Sequence, residues 1–383
     1  MTMTVLKAET AAVAPAKLPE FIKRFREIVA RHDTVAGYYG HCSVGCMHIR
    51  PLINLKEDSE KKKMVSIANE ISDLVLEFDG AMSGEHGDGL ARSHFNAKLF
   101  GPALYEAFRQ VKRAFDPKNL MNPGKIVDAP AMTESLKISP QYKTWEPQTT
   151  LDFSDQGGFA RAVEMCSGMG ECRKKLDGTM CPSYMGTLDE EHSTRGRANA
   201  LRNVISGLVP QSEFTGKRLY DVMDLCLECK ACKAECPSNV DMAKLKYEFL
   251  DHYHRANGLP LRNRMFGAIE SLNRIGSALA PVSNWLVNSG LNRWLMEIFT
   301  GIDRRRPLPQ FAGESFEAWF AKHKAERDGA NGDVVLFHDT FNNYNTPNVA
   351  IAATRFLEKS GYRVLLVDKK CCGRPMISKG MLC

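Results

Sequence analysis

The chain has 383 residues, of which 44% are hydrophobic and 25% charged, and its formal net charge is +6. This length suits two or three domains, and the composition is that of a folded globular protein, which excludes a disordered or fibrous chain. The basic run Arg304–Arg306 is too short to indicate a nucleic-acid surface. No stretch of about 18 apolar residues occurs, which predicts that no segment spans a membrane.

The twelve cysteines are unevenly distributed. Two lie at positions 42 and 46, seven between 166 and 236, and three between 371 and 383. A secreted disulfide scaffold is short and uses cysteine throughout, so this distribution favours metal ligands in a reducing, cytoplasmic compartment. Residues 1–19 have no apolar core of signal-peptide length, which supports the same expectation.

Residues 20–128 are predicted to form an α+β domain. The segment from Cys46 to Leu55 reads as extended, and it lies between two segments with helical periodicity. A helix, a strand and a helix in this order indicate an α+β layer. The apolar residues at helical spacing are Phe21, Phe25, Ile28 and Val29 in the first segment and Met64, Ile67, Ile71, Leu74 and Val75 in the second.

The rest of the chain divides into three further regions. Residues 129–155 are rich in Pro, Thr, Ser and Gln and are predicted to be a linker, and residues 156–325 are predicted to be mostly helical. In residues 332–383, the apolar runs Asp333–Phe337 and Tyr362–Asp368 flank an amphipathic helix, Asn348–Ser360, which ends at Gly361. This is a βαβ unit of an α/β domain. One crossover cannot cover both faces of a parallel sheet, so we expect this domain to be truncated and the chain to be part of a longer protein.

The strongest motif is Cys226-x2-Cys229-x2-Cys232-x3-Cys236-Pro237. This is the bacterial ferredoxin spacing, which predicts at least one [4Fe–4S] cluster. Three thiolates from one tight loop face one cluster, and the fourth thiolate turns away to a second cluster. A zinc site fits less well, because zinc usually takes two separated cysteine pairs.

An upstream run, Cys166-x5-Cys172-x8-Cys181-Pro182, keeps three thiols of a similar pattern and has Met169 where the second thiol would lie. If the two runs cross, Cys181 completes the cluster of the downstream run. Cys236 then joins Cys166 and Cys172, a set of only three thiolates. Three outcomes stay open for this second site: a three-iron cluster, a four-iron cluster with a non-cysteine ligand, or no cluster.

Histidines and a carboxylate form a second constellation. His41 and His48 flank a glycine-rich segment, and Glu85 precedes His86 in another glycine-rich turn. Two histidines and one carboxylate are a common divalent-metal set with open positions for substrate, which leaves His86 free for proton transfer. The alternative is that these histidines are structural or simply exposed. In a strand, His48 and Arg50 would share a face.

These segments resemble a known family. His41-x6-His48, Gly84-Glu85-His86-Gly87 and Phe115-Asp-Pro-Lys-Asn-Leu-Met-Asn122-Pro-Gly-Lys125 are similar to the C-terminal substrate domain of FAD-linked oxidases. That group contains D-lactate, glycolate and D-2-hydroxyglutarate dehydrogenases. The resemblance implies that His41, His48 and Glu85 bind a divalent, zinc-like metal. It further implies that His86 is the base and that the turn with Asn122 lies near the flavin. Arg50 stands where several members carry asparagine, which suits a substrate carboxylate.

The cysteine region resembles the helical ferredoxin domain of glycolate oxidase iron–sulfur subunits. Residues 332–383 are similar to the start of their cysteine-rich domain, with the signature Cys371-Cys372-Gly373. Two departures matter: the flavin-binding domain that normally precedes residue 20 is absent, and Asp339-Thr340-Phe341 stands where an earlier cysteine often lies. Cys371 and Cys372 are therefore as well explained by a buried or reactive thiol pair as by cluster ligation.

The resemblance implies an FAD-dependent iron–sulfur oxidoreductase. It would oxidise a small D-2-hydroxy acid, with FAD held mostly by the missing domain, and pass electrons through [4Fe–4S] clusters to a quinone or carrier. It would be cytoplasmic or peripheral to the inner face of the membrane. One alternative is a non-catalytic electron-transfer subunit that binds a separate flavin-binding chain, and another is an inactive gene fragment.

Overall fold

The computed structural model describes residues 4–5, 11–134, 136, 138–324, 329–367 and 371–382. The chain divides into two compact units, Met1–Lys143 and Thr144–Cys383. Both units contain helices and strands, and helix predominates. Among the described residues, no helix is both long and apolar enough to cross a bilayer.

The first unit contains a small antiparallel sheet and four helices. Its strands are β1 Thr4–Val5, β2 Ala11–Ala12, β3 Ala36–His41 and β4 Cys46–Ile53, and its helices are α1 Leu18–Arg31, α2 Asp58–Glu77, α3 Gly89–Arg92 and α4 Asn96–Phe115. The central strand is β4, which pairs with β3 along its length and with β1 and β2 near its ends. Helix α4 breaks at Gly101, because Gly101 is non-helical (φ 75°) and Pro102 follows it.

The core of the first unit confirms the predicted helical periodicity. The apolar residues that recur along α1 and α2 are buried in one cluster with Met47, Ile49 and Ile53 of β4. Because side chains alternate along a strand, the burial of these core residues turns His48 and Arg50 to the opposite face. The core therefore determines which face of β4 carries the polar constellation.

The second unit is mostly helical, as predicted for residues 156–325. Its core joins α5, α7, α8 and α10, with Phe159, Phe214 and Phe249 fully or almost fully buried. The helices are α5 Phe159–Glu164, α6 Pro182–Thr187, α7 Thr194–Ile205, α8 Lys217–Asp224, α9 Ala231–Glu235, α10 Met242–Asn257, α11 Leu261–Gly267, α12 Ile269–Ala278, α13 Ala280–Asn288, α14 Gly290–Thr300 and α15 Phe316–Phe320.

The C-terminal part of the second unit has the predicted strand–helix–strand order. It comprises β5 Asp333–Leu336, α16 Thr340–Tyr344, α17 Pro347–Lys359, β6 Arg363–Leu366 and α18 Arg374–Ile377. Strands β5 and β6 are parallel, with Asp333 opposite Arg363. Gly361 follows α17 with a φ of 88°, which suits a helix stop. Asp368 and Cys383, which end the predicted strand and domain, lie outside the described residues.

The boundary between the two compact units falls inside the predicted linker, residues 129–155. The second half of that segment has little regular structure but is bonded to the second unit. The Trp145 backbone N–H donates to Ile205 O at 2.7 Å, and the backbone N–H groups of Thr150 and Leu151 each donate to the Glu248 carboxylate at 2.9 Å. The division into four parts stays a prediction.

Candidate functional site

The β3–β4 hairpin brings the first two histidines together. Tyr39 pairs with His48, and His41 pairs with Cys46. Alternate residues of a strand share a face, and directly paired residues point the same way. His41 is therefore a diagonal neighbour of His48 on the polar face of the hairpin, and their ring centroids are 5.6 Å apart.

Glu85 reaches this face from the loop after α2. The loop is held by Ala81, whose backbone bonds Ala12 of β2 in both directions at 2.8 and 2.9 Å. Glu85 Oε1 lies 3.0 Å from His48 Nε2, and Glu85 Oε2 lies 3.6 Å from His41 Nε2. One donor atom of each of these three residues lies within 4.8 Å of the other two.

The donor set fits a divalent metal. Bonds of about 2.0–2.1 Å to a tetrahedral zinc would separate the ligand atoms by about 3.3 Å, close to the two measured separations. His48 is only 4% exposed, and its burial lowers its pKa, although Glu85 opposes the shift. The neutral imidazole is the form that ligates metal. His41 is largely exposed, so one side of the cluster is open.

Two predicted catalytic residues lie beside the cluster. His86 Nε2 is 3.2 Å from Glu85 Oε1, and the His86 ring stacks on His48 at 5.3 Å. The Arg50 guanidinium lies 4.9 Å from the centroid of the Tyr39 ring, which itself stacks on His48 at 4.7 Å. Among the described residues, the buried Arg50 Nε has no hydrogen-bond partner. The structure thus brings His86 and Arg50 to one site with the three candidate ligands.

An open cavity of about 400 Å³ adjoins the cluster. Glu85 lines it, together with the loop residues before and after it and with Leu99 and Phe100 of α4. The candidate ligand Glu85 is therefore accessible to a small molecule.

Asn122 lies in a separate turn of the first unit. Its φ of 48° is left-handed, which asparagine tolerates better than most residues, and its side-chain oxygen accepts from Lys125 Nζ at 3.3 Å. Asp116 anchors this turn, since hydrogen bonds from Lys112 and the Leu120 and Met121 backbones hold the pKa of Asp116 at about 2. The described contacts of Asn122 do not reach the His–Glu cluster, but the exposed Leu120 and Met121 beside it would suit a flavin ring.

Four cysteines of the second unit line one small cavity, here called the four-thiol cavity. Cys181 begins α6, Cys232 lies in α9, and Cys226 and Cys229 lie in the loop between α8 and α9. Buried Lys246 ties this loop down, because its Nζ donates to Cys226 O at 2.8 Å. The four thiols that line it are Cys181, Cys226, Cys229 and Cys232.

A buried arginine at the four-thiol cavity fits an anionic cluster. Arg197 of α7 is fully buried, and its guanidinium donates to Val222 O, His192 O and Ser183 Oγ at 3.0, 2.6 and 3.1 Å. Among the described residues it has no carboxylate partner, and Cys181 Sγ lies 3.7 Å from its Nη1. A buried unpaired charge is costly. Thiolates at this position would supply the missing negative charge.

The surroundings of Cys181 favour its thiolate form. Burial alone would raise the pKa of Cys181, but hydrogen bonds from Ser183 and the Tyr184 backbone, with the charge of Arg197, lower this pKa overall. The thiolate is the form that binds metal. Cys181 therefore has the chemistry of a ligand.

Three further cysteines line a second small cavity, here called the three-thiol cavity. Cys166, Cys172 and Cys236 line it, and the backbone N–H of Arg195 donates to Cys172 Sγ at 3.3 Å. Thr194 lines both cavities, so the two adjoin.

The spacing of the thiols distinguishes clusters from zinc. Zn–S bonds of about 2.3 Å place four thiolates about 3.8 Å apart. Within the described ranges, no three cysteine sulfurs lie within 4.8 Å of one another. The wider spacing fits a cluster, in which each thiolate binds a different iron.

Cys371 and Cys372 line neither cavity. The Cys371 backbone N–H donates to Glu270 at 2.9 Å, while Cys372 is exposed. Arg374 donates to Glu228 O at 3.2 Å, which connects this turn to the loop of the four-thiol cavity.

The sequence-based prediction did not include three residues that line the cavities, Thr194, Arg195 and Arg197. One signal was available: two arginines in the first turns of α7 oppose the helix dipole, which favours negative residues there. Tyr39, which lies between Arg50 and His48, had no sequence signal beyond its strand position.

Comparisons with known proteins identify families for two segments of the chain. Residues 2–126 match the family of FAD linked oxidases, C-terminal domain, and residues 165–241 match the 4Fe-4S dicluster domain. The chain is 27% identical to the D-2-hydroxyglutarate dehydrogenases of Escherichia coli and Pseudomonas putida, over 98% of this chain and 41% of each relative. It is 34% identical to the D-lactate dehydrogenase of Archaeoglobus fulgidus, over 32% of this chain and 27% of that protein.

The chain thus spans about two fifths of the length of the relatives that it matches almost throughout. The two family matches confirm the resemblance and indicate FAD and iron–sulfur clusters as the cofactors. This chain therefore contains an FAD-linked oxidase C-terminal domain followed by a 4Fe-4S dicluster domain.

Proposed function

We propose that the complete protein oxidises a D-2-hydroxy acid, such as D-2-hydroxyglutarate, D-lactate or glycolate, and passes the electrons from FAD through iron–sulfur clusters to a quinone or carrier. The observation that carries this proposal is the convergence of His41, His48, Glu85, His86 and Arg50 in a domain of the FAD-linked oxidase type. The names of the relatives support the substrate class.

His41, His48 and Glu85 would hold a divalent, zinc-like metal. Such a metal acts as a Lewis acid that acidifies a bound hydroxyl. His86 would take the hydroxyl proton on Nε2, because this atom already faces the Glu85 carboxylate beside the open side of the cluster. Arg50 would bind the substrate carboxylate through two parallel hydrogen bonds. FAD supplies the acceptor for the C2 hydride.

Two adjoining clusters would carry the electrons onward. The four-thiol cavity would hold a [4Fe–4S] cluster, and Cys166, Cys172 and Cys236 would hold a second iron–sulfur cluster. Asn122 would lie near the flavin. A flavin transfers electrons singly as well as in pairs, which explains why a hydride-accepting cofactor and one-electron clusters would share a protein.

Four regions of the chain would have separate roles in this electron transfer. Residues 20–128 would form the substrate domain, 129–155 the linker, 156–325 the ferredoxin domain and 332–383 the start of a cysteine-rich domain. A domain outside these 383 residues, or a separate flavin-binding chain, would hold most of the FAD. Co-purification of a second polypeptide with the complete protein would favour the separate chain.

We propose that the protein meets its acceptor at the cytoplasmic face of a membrane. Trp285, Trp294 and Phe299 are exposed on α13 and α14, close in sequence to the basic run Arg304–Arg306. Aromatic and basic residues together suit an anionic membrane surface. Sedimentation with vesicles of phosphatidylcholine and phosphatidylglycerol tests this placement, and equal recovery with and without vesicles would contradict it.

The experiment that tests the metal site uses the full-length holoprotein. Glu85→Gln should lower the bound divalent metal at least tenfold, because it removes an anionic ligand. His86→Ala should keep the metal but lose turnover in a dye-coupled screen of D-2-hydroxy acids by about 10²–10⁴-fold. Glu77→Gln, which alters an exposed partner of Arg24, is the matched control and should change neither. Unchanged metal in Glu85→Gln would rule out this ligand set, and full turnover in His86→Ala would rule out this base.

A further inference from the structure

The three-thiol cavity lacks one ligand that a four-iron cluster needs. A [4Fe–4S] cluster takes four thiolates, one for each iron. Cys166, Cys172 and Cys236 line this cavity, and Met169 lines it at the sequence position where the ferredoxin spacing has a cysteine. The other cysteines of the described residues lie elsewhere: four line the four-thiol cavity, two lie near the His–Glu cluster, and two lie near α18.

Hydrogen bonds nevertheless hold the three thiols and the loop between them in place. Cys172 is buried, and its sulfur accepts the backbone N–H of Arg195 at 3.3 Å. The Arg195 side chain donates to Gly168 O at 2.9 Å, which holds the loop between the first two thiols. The cavity has the same volume as the four-thiol cavity, about 20 Å³ in each case. These features point to a cluster rather than to an empty site.

The remaining donors around the cavity are poor substitutes for a thiolate. Met169 is 66% exposed, and its thioether is neutral. The hydroxyls of Ser167 and Ser238 bond each other at 3.0 Å. The Glu171 carboxylate pairs with Lys174 Nζ at 2.9 Å. Among the described residues, Glu171 is therefore the one anionic side chain besides the three cysteines that lines the cavity, and its carboxylate is already paired with Lys174.

We propose that the three-thiol cavity holds a three-iron cluster, in which Cys166, Cys172 and Cys236 each bind one iron and the corner beside Met169 carries none. This inference rests on the proposed iron–sulfur function and departs from the pair of four-iron clusters that the domain type implies. The protein then carries two different clusters on either side of Thr194.

The two cluster types differ in magnetism. Three ferric ions have an odd number of unpaired electrons, so an oxidised three-iron cluster gives an electron paramagnetic resonance (EPR) signal. An oxidised four-iron cluster with two ferric and two ferrous ions has an even number and is silent. The wild-type holoprotein, purified without oxygen and oxidised with a stoichiometric amount of a mild dye such as thionine, should show this signal and contain about seven irons per chain.

Met169→Cys supplies the missing thiolate. We expect this variant to lose the oxidised-state EPR signal and to contain about eight irons per chain. Met169→Leu is the matched control, because it keeps the size of the side chain and removes the sulfur; it should behave like the wild type. Ser238→Ala, which removes the hydroxyl alternative, should also leave the signal unchanged.

Several results would overturn the inference. An EPR-silent wild type with about eight irons would mean two four-iron clusters, and about four irons would mean an empty second site. An EPR-silent wild type together with a signal that appears in Met169→Leu or Ser238→Ala would assign the fourth ligand to that residue. Failure of the proposed function has a different readout: no D-2-hydroxy acid would reduce the dye, whatever the EPR spectrum shows.

Discussion

At the scale of single residues, Arg197 is the most informative side chain of the second unit. It is fully buried, its acceptors are neutral apart from the Cys181 sulfur, and no described carboxylate pairs with it. Removing water from a guanidinium is costly, so the folded protein needs an anion beside it. A thiolate-bound cluster meets that need, and Arg197 in turn would stabilise the reduced, more negative form of the cluster.

Replacing Arg197 should therefore lower the reduction potential of the cluster in the four-thiol cavity. We expect Arg197→Gln to lower the midpoint by on the order of 100 mV, because one buried positive charge is lost a few ångströms from the cluster. Arg197→Lys should lower the midpoint reduction potential by less than Arg197→Gln does, since lysine keeps the positive charge. Redox titration followed by EPR measures this shift.

Arg202, a half-buried arginine later on the same helix, provides the control for Arg197. Arg202→Gln should leave both midpoints within experimental error of the wild type. An Arg197→Gln protein with full cluster content and an unshifted midpoint would show that the buried charge does not act on the cluster.

At the scale of elements, the β3–β4 hairpin positions the His–Glu cluster. The connection between the strands turns at Gly45, whose φ is 71°. A Cβ atom at Gly45 would lie 1.8 Å from Val13 O, so any larger residue must displace the backbone that leads from β2 to α1. The turn thus depends on glycine for both its conformation and its close packing.

Gly45→Ala should destabilise the first unit by about 1–3 kcal/mol and lower its metal content, because the turn between His41 and His48 would be strained. Gly37→Ala in β3 is the matched control, since a Cβ atom there meets nothing within 4 Å. Urea unfolding measures the free energy of unfolding of both variants, and metal analysis measures how much metal each variant binds. Equal stability of the two variants would contradict the role assigned to the turn.

Much of the element structure could be predicted from the sequence. The periodicity of α1 and α2 is strong because each helix buries one apolar stripe, and β4 is a long apolar-rich run. The short strands β1 and β2 gave no signal, because two residues carry no periodicity and their pairing depends on β4. Motif spacing also selected His41, His48, Glu85 and the seven cysteines, which the structure places around one cluster and two cavities.

Other parts of the sites depend on tertiary contacts. Arg197 is adjacent to Cys181 only because α7 packs beside α6 and α8, and the sequence separation of the two residues gives no hint of this contact. Tyr39 lies in the candidate active site because the register of β3 and β4 places it opposite His48. Such residues cannot be identified from local patterns, since their neighbours come from distant segments.

At the scale of the whole molecule, the two units have complementary chemistry. The first unit brings His86 and Arg50 beside a candidate metal-ligand set, and the second has two adjoining thiol-lined cavities. Substrate oxidation releases two electrons at once, whereas clusters accept one at a time, so a flavin between the two is chemically required. We propose that these parts form a single electron route from a D-2-hydroxy acid to the clusters.

The most direct test is anaerobic mixing of the oxidised full-length holoprotein with D-2-hydroxyglutarate, D-lactate or glycolate, followed by EPR of the clusters. We expect at least one of these acids to reduce the clusters of the wild type. The L enantiomer of a chiral substrate should not reduce them, and His86→Ala should slow the reduction by about 10²–10⁴-fold. Clusters that stay oxidised with all three acids, or that are reduced equally fast in His86→Ala, would contradict this electron route.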